Sequence, residues 1–317
     1  MEVYPKVSIM IPTYCQDEYI EQAVMSALEQ SYPNIEIIVS DDSENDATFE
    51  VLNKYIEKGI ITYIKNKPRH GRVKNYNQTL MNSTNGEWIL NLDGDDFLVN
   101  KNFISECYGI IKNSKDKPAF IFGREYEYND TTKSMFERKT SLTETQSFEG
   151  TELFLNKRKL GINFYHLSTL YNREKAIYSN FYTIDCLGAD TLSFYSMMPG
   201  ETVVFINSFG GAWRTHSEND SFTDNITELV NNITSAKKIR KNVINKSNLT
   251  DKQFNKWYTQ TATNRFESYF LRLISGQKYT LAKKLLKSTV TAEKRIVLSY
   301  FISPKRLIRL LCSFLNN

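Results

Sequence analysis

Trp88-Ile89-Leu90-Asn91-Leu92-Asp93-Gly94-Asp95-Asp96-Phe97 joins a short apolar run to three carboxylates within four residues. The run reads as a strand buried on both faces, as in a parallel sheet. The carboxylates behind it repel one another. A solvated acidic turn is one reading of such a cluster. Its place at the end of a buried strand favours another, in which the oxygens bind a hard divalent cation, Mg²⁺ or Mn²⁺. Such a cation can bridge a diphosphate and neutralise charge as that diphosphate leaves. An EF-hand is set aside, because no glutamate follows at the spacing its loop requires.

Upstream, Val7-Ser8-Ile9-Met10-Ile11, stopped by Pro12, reads as another buried strand, and Ile35 to Val39 as a third. Apolar residues recur at helical spacing from Glu18 to Gln30. Helices are also expected from Phe49 to Glu57 and from about Lys74 to Met81, with a strand over Ile60 to Ile64. This alternation predicts an α/β domain with a mostly parallel sheet. Its strands end at Thr13, Asp41 and Asp93, and ligands of open α/β sheets bind beyond the carboxyl ends of the strands. The strand-end pair Asp41-Asp42 has two readings. It can accept a hydrogen bond from the N–H of a uracil-like base, or it can form a turn capping the next helix.

Downstream, Pro118 to Phe122 reads as a strand, Glu125 to Ser147 is polar and unassigned, and Phe164 to Tyr171 reads as a strand before a helix opened by Asn172-Arg173-Glu174. After about Asp224 the strand signals stop. Leu229 to Val243, Asp251 to Ser275 and Lys278 to Ser288 are read as helices. The expected division is a catalytic domain over 1–224 and a helical region over 225–317 for acceptor, membrane or oligomer contacts.

The 317 residues hold 40 Lys and Arg against 36 Asp and Glu, a balance that does not suggest a nucleic-acid binder. Hydrophobic residues make up 41%, enough for a proper core. Cys15, Cys107, Cys186 and Cys312 form no C-x-x-C pair, which argues against a zinc site or disulfide framework and fits a cytoplasmic protein. Met1 to Lys6 lacks the flank and apolar stretch of a signal peptide, and no apolar run is long enough to span a membrane.

Val7 through Tyr14, then Glu18 through Ser43, then Asn85 through Asp96 together resemble, in order and spacing, the family 2 glycosyltransferases of the GT-A fold. The similarity is continuous from Val7 to Phe97 and patchy to about Ser217. The resemblance implies a Rossmann-like sheet with flanking helices, a nucleotide-sugar donor and the metal-binding motif usually called DxD. It puts Pro12, Thr13 and Tyr14 where the first strand meets the nucleotide. It makes Asp42 the carboxylate that reads the base, with Asp41 beside it, which implies a UDP-sugar. Asp93 and Gly94 open the metal motif, and Asp95 and Asp96 lie nearest ribose and metal. Arg72, Lys74 and Asn77 fall in a segment that lines the nucleotide pocket. One extra residue before Gly86 departs from the pattern there, and solvated basic residues are the alternative for Arg72 and Lys74.

Leu187-Gly188-Ala189-Asp190 resembles the family's later acidic motif, with Ala189 in place of the first acidic residue. Asp190 is then the general base of an inverting transfer, with Asp185 as its rival and helix capping as the structural alternative. Trp213-Arg214-Thr215-His216 resembles a stretch that closes over metal and diphosphate, so His216 is expected to ligate the metal and Arg214 to pair with phosphate. The Gln-x-x-Arg-Trp motif of processive members is absent, which implies transfer of one sugar to a glycan or lipid-linked acceptor in polysaccharide or glycoconjugate synthesis. Residues 303–315 form a basic amphipathic segment with two readings, a peripheral contact with the inner face of a membrane or packing on protein, a homo-oligomer included. Two rival functions stand beside the enzyme: an inactive carbohydrate-binding or scaffolding protein of the same fold, and a nucleotidyltransferase, which would need a Gly-rich basic loop where Pro12-Thr13-Tyr14-Cys15 stands.

Overall fold

The computed structural model describes residues 3–216 and 223–315. The chain groups into two compact units, Met1–Asp185 with Ser193–Glu218, and Cys186–Leu192 with Asn219–Asn317.

The first unit begins with β1 (Val7–Thr13), β2 (Ile35–Asp41), β3 (Thr62–Lys65) and β4 (Trp88–Asn91), alternating with α1 (Ile20–Leu28), α2 (Ala47–Ile56) and α3 (Arg72–Asn82). Every residue of β1 and β4 is buried. Neighbouring strands flank β1 within the sheet and α1 and α3 pack against it, so its sequence must be apolar on both faces. β1 pairs in parallel with β2 and β4, and β2 with β3.

Beyond β4 the chain forms β5 (Phe97–Leu98), α4 (Phe103–Asn113), β6 (Phe120–Asn129), β7 (Ser134–Glu137), β8 (Gln146–Glu149), α5 (Gly150–Asn156), β9 (Thr169–Asn172), α6 (Arg173–Tyr178), α7 (Ala189–Met197) and β10 (Thr202–Thr215). The sheet order is β3-β2-β1-β4-β9-β6-β10-β5, with β7 on β6 and β8 on β10. The expected parallel array therefore holds over β3-β2-β1-β4, and the full sheet is mixed, because β9 enters antiparallel between β4 and β6. The polar stretch left unassigned from Glu125 supplies the rest of β6, its hairpin partner β7 and the start of β8.

β10 runs through Gly210-Gly211, with register shifts between Phe205 and Gly211. A Cβ on Gly211 would lie 2.6 Å from Leu167 Cδ1 and 3.0 Å from the Phe97 carbonyl oxygen, so the strand can pass only without a side chain there. This passage carries Arg214 to the end of β4, where the acidic turn begins.

The second unit contains α8 (Ile226–Thr234), α9 (Arg240–Lys246), α10 (Asp251–Ser275), α11 (Tyr279–Phe301) and α12 (Pro304–Leu315). Asn225 caps α8, and Thr250 with Gln253 forms a capping box on α10. Phe254, Trp257, Phe266, Leu285, Ile296 and Tyr300 are buried in its core. Glu267 is buried on α10 and receives Arg306 and Arg309 from α12.

Candidate active site

Three strand ends in the first unit are stitched together by backbone. The Asp42 N–H donates to the Thr13 carbonyl at 2.9 Å, and the Gly94 N–H to the Pro12 carbonyl at 3.2 Å. The Cys15 N–H donates to Ser43 Oγ at 2.8 Å. Pro12 and Thr13 thus tie β1 to both acidic segments. Gly94 is required by the fit: a Cβ there would lie 2.6 Å from Thr13 Oγ1 and 2.7 Å from Gln16 Oε1.

Adjacent carboxylates on β2 have different surroundings. Asp41 is fully buried, accepting from the Ser43 N–H at 2.8 Å, the Tyr63 hydroxyl at 2.7 Å and Lys65 Nζ at 3.0 Å. Those bonds make it a fixture of the β2–β3 edge. Asp42 holds the loop that leads into α3, accepting from the His70 N–H at 3.0 Å, the Gly71 N–H at 2.6 Å and Asn66 Nδ2 at 3.0 Å. Arg69 lies across Tyr14, its guanidinium 3.7 Å from the ring centroid, with Nε 4.0 Å from Asp42 Oδ2. Asp42, Tyr14 and Arg69 together offer a carboxylate acceptor beside a planar cationic stack, a combination suited to a nucleobase edge and face.

Around the acidic turn, Asp93 accepts from the Tyr76 hydroxyl at 2.9 Å and Asn91 Nδ2 at 3.0 Å, and its Oδ2 is 3.2 Å from His166 Nε2. His166 Nδ1 lies 3.1 Å from the Tyr182 hydroxyl. Burial works to raise the Asp93 carboxyl, but the His166 charge, hydrogen bonds from His166 and Tyr76, and nearby Arg72 bring it below its usual value. Burial and Asp93 keep the Tyr76 phenol protonated, hence a donor. The Asp96 carboxyl goes the other way. Burial, then the charges of Asp95 and Asp93, push it well above the ordinary range against the pull of the Arg214 N–H.

Arg214 donates its backbone N–H to Asp96 Oδ1 at 2.8 Å and its Nε to the Asp95 carbonyl at 2.7 Å. Its two terminal nitrogens reach Asp130 and Gln22. Arg214, expected to pair with phosphate, donates from all three guanidinium nitrogens within the protein and is 3% exposed. These bonds brace the acidic turn. His216 Nε2 lies 3.0 Å from Asp95 Oδ2, and the His216 ring stacks on Tyr19. Ser217, where the sequence similarity was expected to end, lies outside the described residues.

The α3 segment divides. Arg72 reaches the Asp93 cluster, 5.8 Å from the Tyr76 ring centroid. Lys74 is exposed, and Asn77 Nδ2 is committed to the Phe181 carbonyl at 3.1 Å, a structural tie. The buried positions between them do more: Asn75 binds Ser40 and Tyr76 binds Asp93.

In the second unit, Asp190 stands half-buried in the first turn of α7 and makes no side-chain hydrogen bond among the described residues. The capping alternative is therefore not realised. The turn leading to it is held by Asn232, whose Oδ1 accepts from the Gly188 N–H at 3.1 Å while its carbonyl accepts from Arg265. Asp185, the rival, is exposed.

Asn66, Arg69, Tyr76, Asn91, His166 and Asn232 were not singled out by sequence. Tyr76 alone carried a signal, since it recurs with Val73 and Leu80 on the buried face of α3.

The sequence model of Glycosyl transferase family 2 matches residues 8–179, more than half the chain. The chain belongs to that family. Its relatives include the Escherichia coli UDP-Glc:alpha-D-GlcNAc-diphosphoundecaprenol beta-1,3-glucosyltransferase WfaP, 38% identical over 39% of this chain and 47% of that protein. The matched stretch spans less than half the length of the first curated relatives. Staphylococcus aureus TarS 1–349 in complex with UDP-GlcNAc has a TM-score of 0.66 at 14% identity, covering 92% of this chain and 82% of that one. The mannosyltransferase PcManGT from Pyrobaculum calidifontis, in complex with GDP-Man and Mn²⁺, has a TM-score of 0.51 at 16% identity, covering 93% and 86%. These likenesses give the family 2 chain its GT-A fold, as expected from sequence.

Among the described residues of this family 2 member, no three His, Cys, Asp or Glu side chains form a ready metal cage. The donor set still fits a hard cation. Asp95 and Asp96 supply oxygens, His216 stands beside them, and the raised Asp96 carboxyl marks a site short of positive charge.

Proposed function

We propose that this chain moves one sugar, with inversion, from a UDP-sugar to a hydroxyl of a glycan or lipid-linked acceptor. The observation that carries this reading is the stitched edge where Asp42 and the Asp93–Asp96 turn meet through Pro12 and Thr13. A base-reading acceptor and an acidic centre then share one sheet edge, the usual ligand position of open α/β sheets.

In this reading Asp42 accepts from the uracil N–H while Tyr14 and Arg69 face the ring. Asp95 and Asp96, with His216, hold Mn²⁺ or Mg²⁺, which neutralises charge on the leaving diphosphate when bound. Asp93, fixed by Tyr76, Asn91 and His166, orients the turn. Asp190 takes the proton from the acceptor hydroxyl as the new bond forms, so configuration inverts in a single displacement. Residues 1–224 serve the donor and chemistry, and 225–317 serve the acceptor. Support for a uridine donor and a lipid-linked acceptor comes from the activity for which WfaP is named, and for the metal from the Mn²⁺ in the PcManGT complex.

The test is a screen of UDP-, GDP- and CMP-linked sugars for release of the nucleotide, with Mn²⁺ or with chelator. Metal-dependent release of UDP is the expected result. Release from none of them, with a folded protein, would overturn the enzymatic reading.

A further inference from the structure

We infer that the C-terminal helical unit carries a docking surface for an anionic membrane face, formed by α12 and the end of α11. α12 has its protein partners already. Leu307 and Leu310 are half-buried, Arg306 and Arg309 reach Glu267, and Phe314 stacks on Tyr279. A second apolar stripe nevertheless faces outward. Ile308 and Leu311, one turn apart, are 60% and 62% exposed, and at the end of α11 Leu298 and Ile302 are 54% and 77% exposed, with Phe301 between them. α12 packs against α11, and large apolar side chains left exposed on neighbouring helices are the material of an interaction surface.

Charge identifies the occupant. Residues 278–317 contain nine Lys and Arg and one acidic residue, Glu293, which leaves 31 basic against 35 acidic residues in the other 277. The basic excess of the whole chain thus sits in its last forty residues. Lys294 and Lys305 are exposed and lie within one turn of Leu298 and Ile308, where long stems can lie along apolar surface with their ammonium groups at the headgroups. A recess of about 470 Å³, lined by Asn255, Lys256, Thr259, Gln260, Ser299 and Arg306, has two cations in its wall. A basic helix with an exposed apolar stripe lies in a lipid interface and is strengthened by anionic lipid. A second copy of this chain fits poorly, because a two-fold contact would set this cationic surface against itself.

The test is flotation of the full chain with phosphatidylcholine vesicles, alone or with about one third phosphatidylglycerol. Binding to the anionic vesicles only is expected, weakened by about 0.5 M NaCl. Ile308→Glu combined with Leu311→Glu should cut the bound fraction at least about tenfold, with an unchanged thermal unfolding curve because both side chains are outside the core. Absence of binding to either vesicle, or equal binding to both, would overturn the inference. So would a dimer in equilibrium sedimentation that the double variant dissociates, since the stripe would then be a contact between copies.

Discussion

Nε2 of His166 lies 3.2 Å from Oδ2 of Asp93, so a histidine 73 positions away in sequence orients the first carboxylate of the acidic turn. His166→Ala would strip a buried partner from Asp93 and from the Tyr182 hydroxyl. Leaving buried polar groups unpaired costs about 1–3 kcal/mol. Denaturant unfolding should show a loss of that size, and calorimetry should show weaker metal-supported UDP binding. His166→Gln, which keeps a donor, should recover part of the binding. An alanine variant with wild-type stability and binding would remove His166 from this role.

Asp96 predicts a pH dependence. Its carboxyl is raised by burial and by Asp95 and Asp93, so between the unfolded and folded titration points the folded state holds the extra proton. Stability from this group therefore falls as pH rises through that window. A divalent cation binds the deprotonated form, so its stabilising effect should grow as pH rises. Thermal unfolding with and without Mn²⁺, across a pH series, reads both effects. Asp96→Asn should unfold at a higher temperature than wild type without metal, show no Mn²⁺ shift, and have no transferase activity. A wild-type protein indifferent to Mn²⁺ at every pH would refute the metal role.

Asp42 predicts nucleotide preference. UDP should bind more tightly than GDP or CDP, and Asp42→Ala should erase the preference. Because Asp42 also holds the His70 and Gly71 N–H groups, weaker binding alone could reflect a loosened loop. Asn66→Ala is the control, since it loses one bond to Asp42 and keeps the carboxylate. It should weaken all three nucleotides alike. Equal calorimetric affinity of the wild type for UDP, GDP and CDP would rule out base reading by Asp42.

Asp190 predicts the size of the chemical step. General base catalysis is typically worth about 10²–10⁴-fold, so Asp190→Asn should lower kcat by that order with UDP affinity retained. Asn232→Ala should lower kcat by less, through loss of the Gly188 tie, without changing the pH profile. NMR of the product should show inversion. Retention of configuration would contradict the mechanism whatever the variants did.

The half of the sheet around β1 was readable because its strands are buried on both faces and alternate with amphipathic helices. β10 was missed for a specific reason: Asn207-Ser208-Phe209-Gly210-Gly211 has loop composition, and only contact with Leu167, Ser168 and Phe97 explains glycines inside a strand. β5, two residues long, offers no periodicity at all. The acidic residues stood out because like charges clustered at a strand end demand an explanation. His166, Asn66 and Asn232 did not, because each draws its importance from a partner at least 24 residues away, and a lone polar residue carries no local sign of that. Arg214 was noticed, but its bonds to Asp130, Gln22 and the Asp95 carbonyl were not legible, since sequence does not show which partners enclose a cation.

The contact between Gly94 and Thr13 has a consequence for mutational mapping. An alanine at 94 would drive its methyl group into Thr13 and Gln16, displacing the turn that carries Asp93, Asp95 and Asp96. In an alanine scan, position 94 would look as inactive as a metal ligand although it has no side chain to coordinate anything. Thr13→Gly beside Gly94→Ala would expose the difference: removing the obstructing Thr13 Oγ1 and Cβ should restore some activity, a rescue that no true ligand position could show.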